Sequence, residues 1–347
     1  MGRLQHAASM RGLARRIAGA LVVALLIGAC AALQGNDSAV ETAAGGIQPR
    51  KESRISMDKE RLTISLKKVT VEYDFLNSSN DDITIEVAFP IPPYGFDADP
   101  TAGPRDFADF RVWVDGHEVK YHTEVRAECK GTDYTALLRG LGINIQTFAD
   151  TDFDAGTSQI QTLPKATLER LFRLGLIDSL DKYALPTWSV VETYRWRQRF
   201  PVRTILQIRH EYNPVVGYQP EQIADIQRDF RDVCVDPLLQ RKLTALAARE
   251  LERGRGNPYF TESSILVYMQ WIKYILTTAN TWKTPIKNFE LVVEEPESEG
   301  NLQFLGTGMC WDGGVQRADK THLVARKTNF IPTRELAVYY FQDYLGK

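Results

Sequence analysis

The sequence predicts a mainly β protein, with β-sandwich-like sheets carrying two helical insertions, α+β overall. Two observations predict it. Apolar and polar residues alternate from Ile55 to about Val125, again from Trp188 and again from Pro285, and helical spacing intervenes twice between those stretches. With 347 residues the chain can hold one large core or two ordinary ones, and its 44% hydrophobic and 25% charged composition is that of a folded globular chain.

The first element is a leader, placed at residues 1–35. MGRLQHAASMRGLARR carries four arginines and no acid, and IAGALVVALLIGA after it is a thirteen-residue apolar run. A charged segment followed by an apolar one too short to span a bilayer comfortably reads as an export signal. A core helix would instead show polar positions at helical period. Two cleavage readings stay open: Ile27, Gly28, Ala29 and Cys30 match a lipoprotein lipobox in which Cys30 is acylated, whereas a cut near Gly35 releases a chain beginning Asn36-Asp37-Ser38. Arg15-Arg16 also permits a twin-arginine route. Without the leader's four arginines, the 42 Lys and Arg fall to 38 against 44 Asp and Glu, a net charge of −6. That acidic balance argues against nucleic acid as a partner.

Residues 36–130 form the N-terminal β-rich part. Val69, Val71, Tyr73 and Phe75 share one face and Thr70, Glu72 and Asp74 the other; after a polar loop, Ile83, Ile85, Val87 and Phe89 repeat the pattern until Pro90, Pro92 and Pro93. This predicts a hairpin. RVWVDGHEVKYHTEV predicts a second, turning on Asp115-Gly116. Residues 131–187 form a helical insertion, with helices in TDYTALLRGLG and LPKATLERLFRLGL. Residues 188–218 predict a long hairpin across Pro201-Val202-Arg203. A second helical insertion covers 219–284, with helices over 237–253 and 262–276, and residues 285–347 complete the fold with strands.

The stretch YRWRQRF places Tyr194, Trp196 and Phe200 on one strand face and Arg195, Arg197 and Arg199 on the other, so aromatics and arginines do not share a stacking platform for nucleic acid. The aromatic side is expected to fill the core beneath the inserted helices. The arginine side is expected to meet acids on neighbouring strands, such as Glu72, Asp74 and Glu86, or anionic envelope groups.

Candidate chemistry is sparse. Asp150, Asp152 and Asp154 in DTDFDAG can place several oxygens on one calcium ion, but Ala155 and Gln161 stand where the EF-hand frame requires Gly and an acid. His117 and His122 fall on opposite strand faces, and His210 shares a face with Leu206, Ile208 and Tyr212, the setting of a core histidine. HEYNP lacks the second histidine of the zinc motif, and no GxSxG, Walker or GxGxxG pattern occurs. Cys129, Cys234 and Cys310 follow the leader without CxxC spacing, which in an oxidising compartment allows one disulfide and one free thiol. Catalytic residues remain unassigned.

NDSAVETAAGGI, VAFPIPPY, YRWRQRFP leading to HEYNPVVG, and YILTTANTWKTPIKNFELVVEE occur in that order. Together they resemble a family of secreted bacterial proteins known as a domain of unknown function, of the 4424 type, over nearly the whole mature chain. The first hairpin is also similar to the sandwich domain of inter-alpha-trypsin inhibitor heavy chains. The main resemblance implies export, a β-rich fold with inserted helices, and no assigned reaction or cofactor. It also implies a cysteine near Cys234 and another in the C-terminal strands, so Cys234–Cys310 is the expected disulfide, with Cys129 left as a thiol. Such a bond would tie the helical insertion to the C-terminal strands and contribute on the order of 4 kcal/mol in the chain-entropy model.

The expected function is a non-catalytic binding or assembly scaffold of the periplasm or outer envelope. Its partner would be an envelope component or a protein, and membrane contact would come only through the signal or a lipid on Cys30. Two alternatives are a periplasmic hydrolase with unidentified carboxylates and a calcium-dependent adhesion or assembly module built on the Asp150 loop.

Overall fold

In this computed structural model the described residues are 38–43, 46–95, 109–146, 159–181, 184–228, 230–298 and 300–344. They fold into three sheets. The first orders β2 (Gly46–Pro49), β1 (Ser38–Ala43), β5 (Ile83–Pro90), β10 (Ser189–Phe200), β8 (His122–Cys129) and β9 (Thr132–Asp133). The second, the largest, runs β16 (Gln316–Arg317), β17 (His322–Phe330), β14 (Ile286–Glu294), β3 (Ile55–Ile64), β4 (Val69–Asn77), β11 (Ile205–Tyr212), β6 (Arg111–Val114) and β7 (His117–Glu118). The third orders β12 (Gly217–Gln222), β13 (Leu266–Tyr274), β18 (Leu336–Tyr344) and β15 (Leu302–Cys310). The chain is mainly β, as the alternation predicts.

The first two sheets face each other, and their contact is aromatic. Phe110 stacks on Tyr194 with centroids 4.0 Å apart, Trp196 and Phe89 meet His210 edge-on at 5.3 and 4.8 Å, and Phe200 meets Phe75 at 5.9 Å. Each ring buried here removes enough apolar surface from water to stabilise the fold by about 1.5–3 kcal/mol. The aromatic side of YRWRQRF therefore packs against the opposite sheet, not beneath the inserted helices.

This arrangement corrects both long hairpins. β4 pairs with β3 and β11, while β5 pairs with β1 and β10. Likewise β10 pairs with β5 and β8, and β11 with β4 and β6. In each case the chain crosses from one sheet to the facing one, so the turns are arches. The β6–β7 hairpin does form, and its turn residues Asp115 and Gly116 both have positive φ, 47° and 78°, as the tight two-residue turn requires.

Helices occupy the two insertions: α1 (Thr135–Gly140), α2 (Gln159–Thr162) and α3 (Lys165–Arg173), then α4 (Ile223–Arg228) and α5 (Pro237–Arg253). The predicted helix over 262–276 is instead a short turn followed by β13. β13 is buried on one face along its first half and on the other face along its second half. Val267 and Met269 pack with Leu239, Leu243 and Leu246 of α5, while Ile272 and Tyr274 join the sandwich core. A strand covered first on one side and then on the other keeps no single alternation, and its apolar positions then fall by chance at helical spacing.

Candidate functional site

A cleft of about 560 Å³ lies where α5, the edge strand β15 and the 313–323 segment converge. Asp236 starts α5 by accepting the Leu239 amide at 2.7 Å, with Pro237 in the first turn, where its missing N–H costs nothing. The segment before the helix lies against β15: Met309 N donates to the Cys234 carbonyl at 3.3 Å. At Gly308 a Cβ would stand 2.2 Å from the Val233 carbonyl oxygen, so only glycine permits this approach. The Cys234–Cys310 disulfide fixes the same contact covalently, with Cα atoms 5.2 Å apart across 76 residues of sequence. Lys242 then donates to the Leu305 carbonyl at 2.6 Å. An open strand edge is thereby covered by a stapled loop and a lysine, which blocks unwanted pairing.

Leu238, Leu239, Leu305, Val315, Trp311 and Leu323 give the cleft an apolar lining, and Leu238 is 53% exposed at its mouth. Glu295 is buried beside it. The carboxylate accepts from Arg317 at 2.7 and 3.1 Å and from Thr307 at 2.9 Å, and this hydrogen bonding holds the guanidinium more firmly charged. With Lys242 and Arg317 balanced by Asp236 and Glu295, the polar rim carries no net charge. Such a cavity can hold an amphipathic ligand, apolar part inward; Lys242 and Glu295 are committed to internal partners rather than poised as nucleophile and base.

A second polar centre is buried between the sheet and the first insertion. Glu192, on the inward face of β10, accepts from Tyr194 Oη at 2.7 Å, Tyr94 Oη at 3.3 Å and Gln146 Nε2 at 3.3 Å. Burial raises its pKa, and the three donors only partly offset that. Sequence reasoning passed over Glu192, although its signal was present: it is an acid at an inward parity, between Val190 and Tyr194.

The basic strand face is split. Arg195 sits opposite Ala88 but bonds diagonally to Glu86, and Arg199 sits opposite Thr84 but bonds to Asp82, its Nε at 3.1 Å. The bond from Arg199 holds the Asp82 carboxyl below its usual range. Arg197 follows the same diagonal onto Thr84, and it is exposed and forms no ion pair with another described residue. Glu72 and Asp74 lie on the other sheet and do not meet these arginines.

His117 and His122 are exposed on different sheets, His210 is buried among rings, and Cys129 is a buried thiol. Cys30 and the Asp150, Asp152 and Asp154 loop lie outside the described residues. Among the described residues no group of three His, Cys, Asp or Glu could hold a metal ion, and no helix is long and apolar enough to cross a membrane.

No curated protein matches the sequence. Among solved structures, a provisionally named nutrient binding protein from Legionella pneumophila aligns over 89% of this chain and 70% of its own, at 14% identity and a TM-score of 0.41. Yeast LTA4 hydrolase aligns over 83% of this chain and 28% of its own, at 7% identity and a TM-score of 0.27. An M1 zinc metallopeptidase from Deinococcus radiodurans aligns over 84% and 44%, at 7% identity and 0.26. Residues 35–339 match the family described as a domain of unknown function, DUF4424, and the chain belongs to that family.

Proposed function

We propose that the protein is an exported, non-catalytic binding scaffold that holds an amphipathic ligand in the cleft beside the Cys234–Cys310 disulfide. The observation that carries this reading is the cleft itself: about 560 Å³, apolar within, charge-balanced at the rim and walled by a stapled loop. A wall fixed in this way costs little to order on binding. The disulfide also suits an oxidising compartment, which supports export to the periplasm or outer envelope.

The test is purification of the protein from its native envelope, followed by mass spectrometry of its N-terminus and of any bound small molecules. A processed N-terminus, at Cys30 or near Gly35, and a co-purifying amphipathic molecule are expected. Leu238→Glu, at the exposed mouth of the cleft, should release that molecule while leaving the melting temperature unchanged, and Val315→Glu, at a half-buried position packed on the core, should release it with some loss of stability. An intact leader would refute export, and undiminished ligand in both variants would refute the cleft.

A further inference from the structure

Charges alternate strand by strand across the outer face of the eight-stranded sheet. Arg326, Glu290, Arg61, Glu72 and Arg209 stand opposite one another in register on β17, β14, β3, β4 and β11, and Trp113 on β6 closes the row. Glu290 is bonded from both sides, by Arg326 at 2.6 Å and Arg61 at 3.1 Å. At the other end the Arg209 guanidinium lies 5.1 Å over the Trp113 ring and is anchored by Glu211. One row along, Lys59, Asp74 and Gln207 are also in register, and Gln207 donates to Asp74 at 3.4 Å.

Between these rows lies a groove of about 310 Å³ lined by Lys59, Glu72, Asp74, Trp113, Gln207 and Arg209. The β6–β7 turn forms its wall, and the turn is tied down: Asp115 N donates to the Gln207 carbonyl at 2.9 Å, and Gln207 N to the Asp115 carboxylate at 3.0 Å. We propose that this groove binds an uncharged oligosaccharide.

Four chemical features of the groove argue for that class. Its two cations are balanced by two carboxylates, so neither an anionic nor a cationic ligand gains from the net field. Lys59 and Glu72 form no ion pair with another described residue, which leaves an ammonium and a carboxylate with hydrogen-bonding capacity to spare. Neighbouring hydroxyl groups, each donor and acceptor at once, satisfy such a mixed set, and the half-buried indole of Trp113 offers an apolar plane for the C–H face of a sugar ring. The side chains rise from adjacent paired strands, a rigid base that lowers the ordering cost of binding.

The experiment is titration of the whole chain with maltohexaose, cellohexaose and chitohexaose, followed by calorimetry and tryptophan emission, with polygalacturonate as a charged control. Binding of at least one neutral hexaose with a change in emission is expected. Trp113→Ala should abolish the emission change and weaken binding about tenfold or more. Glu72→Gln, a near-isosteric change at a half-buried position of the sheet's outer face, should weaken it too. Silence from all three neutral hexaoses would overturn the proposal, as would undiminished affinity in both variants or tighter binding of polygalacturonate.

Discussion

Asn77 Nδ2 donates to the Phe200 carbonyl at 2.9 Å, joining the two points, 123 residues apart, at which the chain leaves one sheet for the facing one. The same amide donates to the Asp81 carbonyl at 2.9 Å, its Oδ1 accepts from Ser79 N at 3.0 Å, and its main-chain carbonyl accepts from Arg203 N at 2.9 Å. One fully buried side chain thus closes both arches. Asn77→Ala removes the side-chain bonds and leaves the buried Phe200 carbonyl without this donor, and should destabilise the protein by about 2 kcal/mol. A urea titration checks it: the midpoint should fall with the slope unchanged. An unshifted midpoint would show that the arches hold without it.

The arches mark the limit of what the sequence discloses. Alternation in VTVEYDF correctly separates inward from outward residues, because β4 is covered on one face; in ITIEVAF it does so only as far as Glu86, after which Val87, Ala88 and Phe89 are all buried. It is silent on whether two successive strands lie side by side or face to face, since both layouts bury the same parity. In β13 the pattern itself fails, because α5 and the sandwich cover opposite faces. Of the basic face, Arg195, Arg197 and Arg199 were assignable outward, but which of them finds an acid depends on the diagonal offset of β5. The cleft was illegible, because its walls come from positions far apart in sequence and Lys242, Glu295 and Arg317 form no motif.

The stapled loop over β15 predicts two separable losses. Cys234→Ser combined with Cys310→Ser opens a 76-residue loop and should cost about 4 kcal/mol in chemical denaturation. Gly308→Ala keeps the disulfide but drives a Cβ to 2.2 Å from the Val233 carbonyl, so about 1–3 kcal/mol should be lost to strain. Hydrogen exchange should rise at 232–235 and 304–309 in both. Unchanged protection in the alanine variant would mean that the loop does not lie on the strand.

The split of the basic face predicts unequal arginines. A double-mutant cycle on Arg195 and Glu86 should return a coupling of about 0.5 kcal/mol that declines with added salt, because the pair is partly exposed. Arg197→Ala should fall within about 0.5 kcal/mol of wild type, as surface changes without a partner do. A larger loss at Arg197 than at Arg195 would reverse the assignment of partners.

Glu192 gives the protein a pH dependence of unusual sign. Burial raises its folded pKa above the unfolded value, so the native state holds the proton more tightly than the unfolded chain. Its contribution is therefore most favourable below about pH 4.3, the unfolded glutamate value, and is lost as pH rises through the folded pKa. Glu52 and Asp82 act oppositely: the side-chain bonds from Arg54 and Arg199 lower their pKa values, and their stabilisation disappears only as pH falls below the unfolded values. The two windows do not overlap, so the glutamate can be isolated. Glu192→Gln retains an acceptor for Tyr194 but cannot ionise, so the variant should gain stability relative to wild type as pH rises from 4 upward. Melting temperatures of the two proteins across that range measure it, and a constant difference between them would show that Glu192 does not titrate there.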